Sequence, residues 1–144
     1  MKIFGDREQG GLGYIRPIFL CEHLEINSPL RMVVDTGASH TTISERDAIR
    51  FGIDYEQLTC PPDNKVLGIG GTCSFYTLDD TVLMFKKSIN SWHIERLDKI
   101  YVLKNEFRNE EERINALRVP SLLGMDILSK CKIYYTHKRV YIEI

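Results

Sequence analysis

The sequence predicts a mainly β protein with short helices, folded as one domain. Short runs of β-branched and aromatic residues alternate with turn residues along most of the chain, a pattern typical of antiparallel sheets. The sequence lacks the regular alternation of strands and helices that indicates a doubly wound parallel sheet. Its 144 residues, of which 43% are hydrophobic and 27% charged, fit a single globular domain spanning 1–144.

The predicted elements begin after a flexible lead-in, 1–13, which ends in the glycine-rich stretch Gln9–Gly13. A capping box starting at Ser44 predicts a helix that ends at Gly52. A second short helix is predicted after Gly124, and good helix formers predict a helical insertion at 104–119. The predicted strands are Tyr14–Leu20, Arg31–Val34, Lys65–Leu67, Thr81–Phe85, Ile100–Leu103, Lys132–Tyr135 and Arg139–Ile144.

The composition argues against several classes of function. Nineteen Lys and Arg residues against twenty Asp and Glu residues leave a net charge of −1, without the basic excess of a nucleic-acid-binding protein. No apolar run approaches the roughly 18–20 residues that span a bilayer, and charged residues stand where a signal peptide would be apolar. The four cysteines and four histidines show no metal-ligand spacing. We therefore expect a cytoplasmic protein with reduced thiols and no cofactor or metal, which binds neither nucleic acid nor membrane.

The sharpest local motif is VVDTGAS, residues 33–39. It places the Asp35 carboxylate directly after an apolar strand, in a turn where the Gly37 N–H can donate to a carboxylate oxygen. The tripeptide Asp-Thr-Gly is short enough to occur by chance. Taken alone, it does not establish a function.

Two further segments make it less probable that the Asp-Thr-Gly motif occurs by chance. The sequence GIGG, Gly68–Gly71, lies at the tip of a predicted hairpin. The sequence LLGMDIL, Leu122–Leu128, is an apolar strand that ends at a glycine and turns into a helix. GIGG lacks the spacing of a dinucleotide-binding loop, and no P-loop lysine follows it.

In this order and approximate spacing, the three segments resemble the retropepsin family of retroviral-type aspartic proteases over residues 14–144. The resemblance implies an acid protease barrel with short helices, a single lobe that dimerises. It also implies that Asp35 is the catalytic carboxylate, that Thr36 hydrogen-bonds across the dimer axis, and that Gly37 presents its N–H to the carboxylate.

The resemblance implies a substrate site as well. Leu122–Gly124 would support the Asp35 loop from below, whereas Asp126 would be structural. The residues expected to bind substrate are Ala38 beside the loop and the flap tip formed by Gly68, Ile69, Gly70 and Gly71, which would close over an extended peptide.

The chemistry of this family needs two carboxylates that share one proton, so that one activates water while the other donates to the scissile carbonyl oxygen. This sequence contains one Asp-Thr-Gly motif, since Asp80-Thr81-Val82 lacks the glycine. The second carboxylate would come from another copy, which predicts a homodimeric endopeptidase acting on peptides or proteins. Two alternatives remain: a catalytically idle interaction or dimerisation module, and an enzyme active only in a larger complex.

Three details refine these expectations. Ala38 cannot hydrogen-bond the carboxylate as a hydroxyl residue would, which predicts activity at weakly acidic to near-neutral pH. The insertion at 104–119 could cover the cleft, shape the dimer edge or dock a partner. The segment Val140–Ile144 has strong β propensity and is the best candidate for strand pairing between subunits.

Overall fold

A computed structural model describes residues 1–8, 11–68 and 71–144. The described residues confirm the mainly β class, since their strands belong to one sheet and their helices are short. The strands are β1 (Lys2–Arg7), β2 (Gly13–Ile15), β3 (Ile18–Cys21), β4 (Ile26–Pro29), β5 (Met32–Val34), β6 (Thr42–Ile43), β7 (Lys65–Gly68), β8 (Gly71–Ser88), β9 (Ser91–Asn105), β10 (Ser121–Leu123), β11 (Lys132–Tyr135) and β12 (Arg139–Glu143). The α-helices are α1 (Glu45–Phe51), α2 (Glu110–Ala116) and α3 (Met125–Leu128), and single 3-10 turns form at Glu22–Leu24 and Tyr55–Gln57.

The sheet has the strand order β11-β12-β1-β2-β5-β10-β6-β9-β8-β3-β4, and β7 pairs with β8 off this path. Most neighbours are antiparallel, but β5 pairs with β10 in parallel, as β6 does with β9. The side chains that fill the interior come from strands throughout this order, among them the wholly buried Phe19, Leu83, Ile100 and Leu123. The central strands β5, β10 and β6 therefore have paired strands on both sides.

The flexible lead-in predicted for 1–13 is wrong for residues 2–7, which form β1. This strand pairs with β12 along one edge and with β2 along the other. Gly5 permits the second contact, because a Cβ atom there would lie 2.0 Å from the Tyr14 carbonyl oxygen. The glycine-rich stretch after β1 suggested flexibility, but long-range pairing with the C-terminal strand orders the N-terminus.

The same pairing uses the segment that the sequence suggested for strand pairing between subunits. β12 lies between β11 and β1, so both of its hydrogen-bonding edges are used within the chain. The expectation that Val140–Ile144 pairs with a partner subunit is therefore wrong for this arrangement of the chain.

The longest elements, β8 and β9, form one hairpin of 18 and 15 residues. The sequence predicts shorter strands in this region, Thr81–Phe85 and Ile100–Leu103, rather than one long hairpin. Asp80 adopts a left-handed φ of +54°, but pairing continues through it, with Asp79 opposite Lys99 and Thr81 opposite Leu97. Pairing with the long partner strand thus continues β8 through a left-handed residue.

Two of the three helices follow local sequence signals closely. In α1 the Ser44 side chain accepts a hydrogen bond from the Asp47 N–H, and Gly52 ends the helix at a φ of +69°. In the insertion at 104–119, the Asn109 side chain caps α2, so the helix covers only Glu110–Ala116. β9 extends into the start of this insertion, where Asn105 lies opposite Cys73 of β8. The Asn105 N–H and Nδ2 also donate to the Glu45 carboxylate, both at 3.1 Å.

A partly buried set of ion pairs ties β9 to the chain after α3. Glu95, a buried residue of β9, contacts His93 Nε2 at 2.7 Å with one oxygen and Lys130 Nζ at 3.0 Å with the other. Burial acts to raise the pKa of Glu95, but the hydrogen bonds and charges of these two partners outweigh it and hold the pKa below its ordinary value. None of the helices in the described ranges combines the length and apolar character that crossing a lipid bilayer requires.

Candidate active site

Asp35 lies at the end of the buried central strand β5. All three residues of β5 are buried, and Val34 pairs in parallel with Leu123 of β10. The Asp35 N–H continues this pairing by donating to the Leu123 carbonyl oxygen at 3.1 Å. The backbone of Asp35 is thus fixed by the sheet, while its side chain is half-buried at the surface.

The turn after Asp35 orients its carboxylate. The Gly37 N–H donates to Asp35 Oδ1 at 2.9 Å, and the Ala38 N–H donates to the Asp35 carbonyl oxygen at 3.2 Å. Thr36 and Gly37 are exposed. The structure therefore brings Asp35, Thr36, Gly37 and Ala38 together in one tight loop, with a carboxylate that an N–H of the loop holds in place.

A hydrogen-bonded block supports this loop from β10 and α3. The Met125 N–H donates to the Ala38 carbonyl oxygen at 2.8 Å. The Asp126 carboxylate accepts hydrogen bonds from the Thr41 N–H at 2.9 Å and the Thr41 hydroxyl at 2.6 Å, and the Thr41 hydroxyl in turn accepts from the Gly124 N–H at 3.1 Å. Asp126 is thus structural, and its partner is the buried Thr41 rather than a cation.

Gly124 is the point of closest approach in this block. A Cβ atom there would lie 2.5 Å from the His40 carbonyl carbon and 2.8 Å from the Thr41 nitrogen, both backbone atoms. Such distances leave no room for a side chain. The glycine of the LLGMDIL segment therefore allows β10 and α3 to pack directly against the end of the Asp35 loop.

Tyr135 of β11 approaches the loop from the other side, and sequence reasoning missed it. Its hydroxyl donates to the Val34 carbonyl oxygen at 3.2 Å, one residue before Asp35. Burial raises the pKa of Tyr135, the Arg7 guanidinium opposes that change, and the negative charge of Asp35 adds to it. Tyr135 stands 101 residues from Val34 in the sequence and carries no motif, so only the fold reveals the contact.

Three partly exposed rings extend from the Asp35 loop to β8. The His40 and Tyr101 ring centroids lie 4.4 Å apart, and those of Tyr101 and Phe75 lie 5.1 Å apart. The register explains this row of rings, because β6 brings Thr42 beside Tyr101, and β8 brings Thr77 opposite Tyr101. The loop thus opens onto an aromatic surface that leads towards the β7–β8 hairpin.

The predicted flap lies on this β7–β8 hairpin. Gly68 pairs with Gly71 at the end of the ladder, whereas Ile69 and Gly70 lie outside the described residues. At the base of the hairpin, Lys65 Nζ contacts Glu106 Oε1 at 2.8 Å. The Glu106 N–H donates to the carbonyl oxygen of Thr72, which lies next to the Gly68–Gly71 pair, at 3.2 Å. The start of the insertion at 104–119 therefore bonds the hairpin both at its base and beside its tip.

The Asp35 site offers a single carboxylate in this chain. Among the described residues, the Gly37 N–H is the hydrogen-bond partner of the Asp35 side chain, and no group of three or more His, Cys, Asp or Glu residues is arranged to hold a metal ion. Four surface cavities in the same residues have volumes of about 730, 390, 180 and 430 Å³, and residues 35–40 line none of them. The Asp35 loop therefore lies at the surface of the chain and borders none of these cavities.

Two solved structures are similar to this chain. A crystal structure of a retropepsin-like aspartic protease from Rickettsia conorii superposes with a TM-score of 0.60 over 98% of each chain, at 21% sequence identity. The EIAV protease complexed with the inhibitor HBY-793 is 16% identical over 83% of this chain and 86% of its own, with a TM-score of 0.49. A search of curated proteins finds no match.

The superposition over nearly the whole of both chains identifies the fold as that of the retropepsin-like aspartic proteases. In sequence, the family model described as aspartyl protease matches residues 24–127, which include the VVDTGAS, GIGG and most of the LLGMDIL segments. The chain therefore belongs to the aspartyl protease family.

Proposed function

We propose that this chain is an aspartic endopeptidase that is active as a C2 homodimer, with Asp35 of each copy in one shared site. The observation that carries the proposal is the complete but solitary Asp-Thr-Gly loop. Asp35 is held by Leu123 and oriented by Gly37, and the sequence contains no second Asp-Thr-Gly or Asp-Ser-Gly. A two-fold axis through this outward-facing loop would supply the missing carboxylate.

In the dimer the two Asp35 carboxylates share one proton, because like charges so close together cannot both ionise. The charged carboxylate takes a proton from a water molecule, which attacks the scissile carbonyl carbon. The neutral carboxylate donates its proton to the carbonyl oxygen. Breakdown of the resulting intermediate, with a proton passed to the leaving amine, releases two peptides and needs no cofactor.

The remaining loop residues have supporting roles in this proposal. Thr36, which is exposed, hydrogen-bonds the partner's loop and sets the distance between the two carboxylates. Gly37 keeps Asp35 oriented, and Ala38 borders the substrate. The tip of the β7–β8 hairpin, Gly68, Ile69, Gly70 and Gly71, closes over a substrate bound in an extended conformation.

The insertion at 104–119 acts on the hairpin in this proposal. The ion pair between Lys65 and Glu106 joins the insertion to the hairpin base, and the hydrogen bond from Glu106 to Thr72 joins it to the residue beside the tip. The insertion thereby holds the hairpin in position next to the Asp35 loop. Because Ala38 offers no hydroxyl group to the carboxylate, we propose activity at weakly acidic to near-neutral pH, in keeping with a cytoplasmic location.

The test combines mass and cleavage. Light scattering measures the oligomeric state, and a denatured-protein mixture is incubated from pH 4 to pH 8 with wild type, Asp35→Asn and the control Asp98→Asn, which changes an exposed carboxylate on β9. We expect a dimer whose cleavage is lost in Asp35→Asn and kept in Asp98→Asn. A dimer without Asp35-dependent cleavage would contradict the proposal and favour the idle dimerisation module.

A further inference from the structure

Four arginine side chains line one surface cavity of about 430 Å³, away from the Asp35 loop. They come from three separate segments: Arg16 follows β2, Arg31 precedes β5, and Arg46 and Arg50 lie one turn apart on α1. These are four of the ten arginines in a chain whose net charge is −1. The remaining lining residues are Pro29, Leu30 and Asp47.

The guanidinium groups at this cavity are accessible, and their ion pairs are long. Their side chains are 43–62% exposed. Their ion-pair distances are 3.6 Å for Arg16 to Asp6, 3.4 Å for Arg31 to Glu8, 3.7 Å for Arg46 to Asp47 and 3.5 Å for Arg50 to Asp47. Close charge-assisted hydrogen bonds are shorter, about 2.7–2.9 Å. Arg50 also donates to the Pro29 carbonyl oxygen at 2.9 Å, and the Arg31 guanidinium lies over the Tyr14 ring, 3.4 Å from its centroid. Each guanidinium carries five N–H donors, so such contacts leave donors for a ligand.

The one acid in the lining, Asp47, is engaged on its buried side. Its Oδ2 accepts hydrogen bonds from the Ser121 hydroxyl at 2.6 Å and the Ser44 hydroxyl at 3.2 Å, and its side chain is 7% exposed. Asp6 and Glu8 lie outside the lining, and their ion pairs are exposed to solvent and therefore weak. The lining therefore presents four positive charges against one largely buried negative charge.

We propose that this arginine cavity binds a small phosphorylated ligand. Arginine forks match phosphate oxygens in pairs, and guanidinium groups that reach one cavity from three segments suit an anion with charged oxygens on several sides. A single planar carboxylate would engage one fork and leave the others unpaired. The cavity volume falls within the range of about 300–1,000 Å³ for small-molecule sites, and the exposed Pro29 offers apolar surface to the organic part of the ligand.

The arginine cavity is independent of the proposed protease activity. Arg31 precedes β5 and Asp35 follows it, so the cavity and the catalytic loop lie at opposite ends of that strand. Binding can accordingly be measured with no substrate present. The test then stands whether or not the chain cleaves peptides.

The experiment is isothermal titration calorimetry of the full chain with pyrophosphate, inorganic phosphate and succinate at constant ionic strength. We expect saturable binding of one pyrophosphate per chain, weaker binding of phosphate and weaker still of succinate. Arg46→Gln should weaken pyrophosphate binding at least about tenfold, since it removes a charge-assisted contact to the anion. The control is Arg108→Gln, which changes a side chain that is 91% exposed and lies outside the cavity.

Arg46 is a suitable position because its one ion pair among the described residues is the long contact with Asp47, at 3.7 Å, so its loss should not disturb folding. Arg16→Gln, at another wall of the cavity, serves as a second variant. Absence of saturable binding, equal weakening by Arg108→Gln, or binding of succinate as tight as that of pyrophosphate would each overturn the proposal.

Discussion

Replacing Asp126 with alanine is expected to destabilise the protein by about 3 kcal/mol, although Asp126 is not a catalytic residue. Two hydrogen bonds to its carboxylate, from the Thr41 N–H and the Thr41 hydroxyl, join the loop before β6 to α3 across 85 residues of sequence. Hydrogen bonds to charged groups contribute roughly 1.5–3 kcal/mol each. Because Thr41 is wholly buried, its N–H would be left without a partner.

Urea denaturation at a fixed protein concentration measures this loss as a lower midpoint with an unchanged slope. For a domain of this size, about 3 kcal/mol corresponds to a fall of roughly 10 °C in Tm. The control is Glu111→Ala, on the exposed face of α2, which should change the free energy of unfolding by less than about 0.5 kcal/mol.

A double-mutant cycle separates this contact from general damage. Thr41→Val removes the hydroxyl partner, so its effect and that of Asp126→Ala should be strongly non-additive. A loss below about 1 kcal/mol in Asp126→Ala, or strict additivity in the cycle, would refute the role given to this contact.

Three further predictions test other parts of the structure. Gly124→Ala should destabilise the protein by at least about 1–3 kcal/mol, measured by the same urea titration, because the new Cβ would lie 2.5 Å from the His40 backbone. Because the pKa of Glu95 is lowered in the folded state, its contribution to stability is present above the unfolded value of 4.5 and is lost as the pH falls through the folded value. Unfolding of wild type followed from pH 6 to pH 3 should therefore show a steeper loss of stability than unfolding of Glu95→Gln. Under native conditions a thiol reagent should label the exposed Cys60 first, since burial raises the pKa of the other three free thiols; faster labelling of any of those would contradict this.

What could be predicted from the sequence depends on local interactions. The Asp35–Gly37 contact spans two residues, and the cap of α1 at Ser44 spans three, so short motifs encode both. The order of the three motif segments was enough to indicate the family. These parts of the site need no knowledge of distant residues.

The parts that sequence reasoning missed all depend on distant pairings. β1 is ordered by β12, from the opposite end of the chain, and Thr41 meets Asp126 across 85 residues. The left-handed backbone of Asp80 does not end β8, because the ladder continues on either side of it through Lys99 and Leu97. The arginine cavity likewise combines segments that no local pattern connects.

The central claim, that two copies share one catalytic site, is tested most directly by mixing wild type with Asp35→Asn at constant total concentration. After subunit exchange, a shared site predicts activity that follows the square of the wild-type fraction, about one quarter of full activity in an equal mixture, because mixed dimers hold one aspartate. A site complete within each chain would give about one half in the same mixture. Quadratic dependence is the result this account predicts, and linear dependence would contradict it.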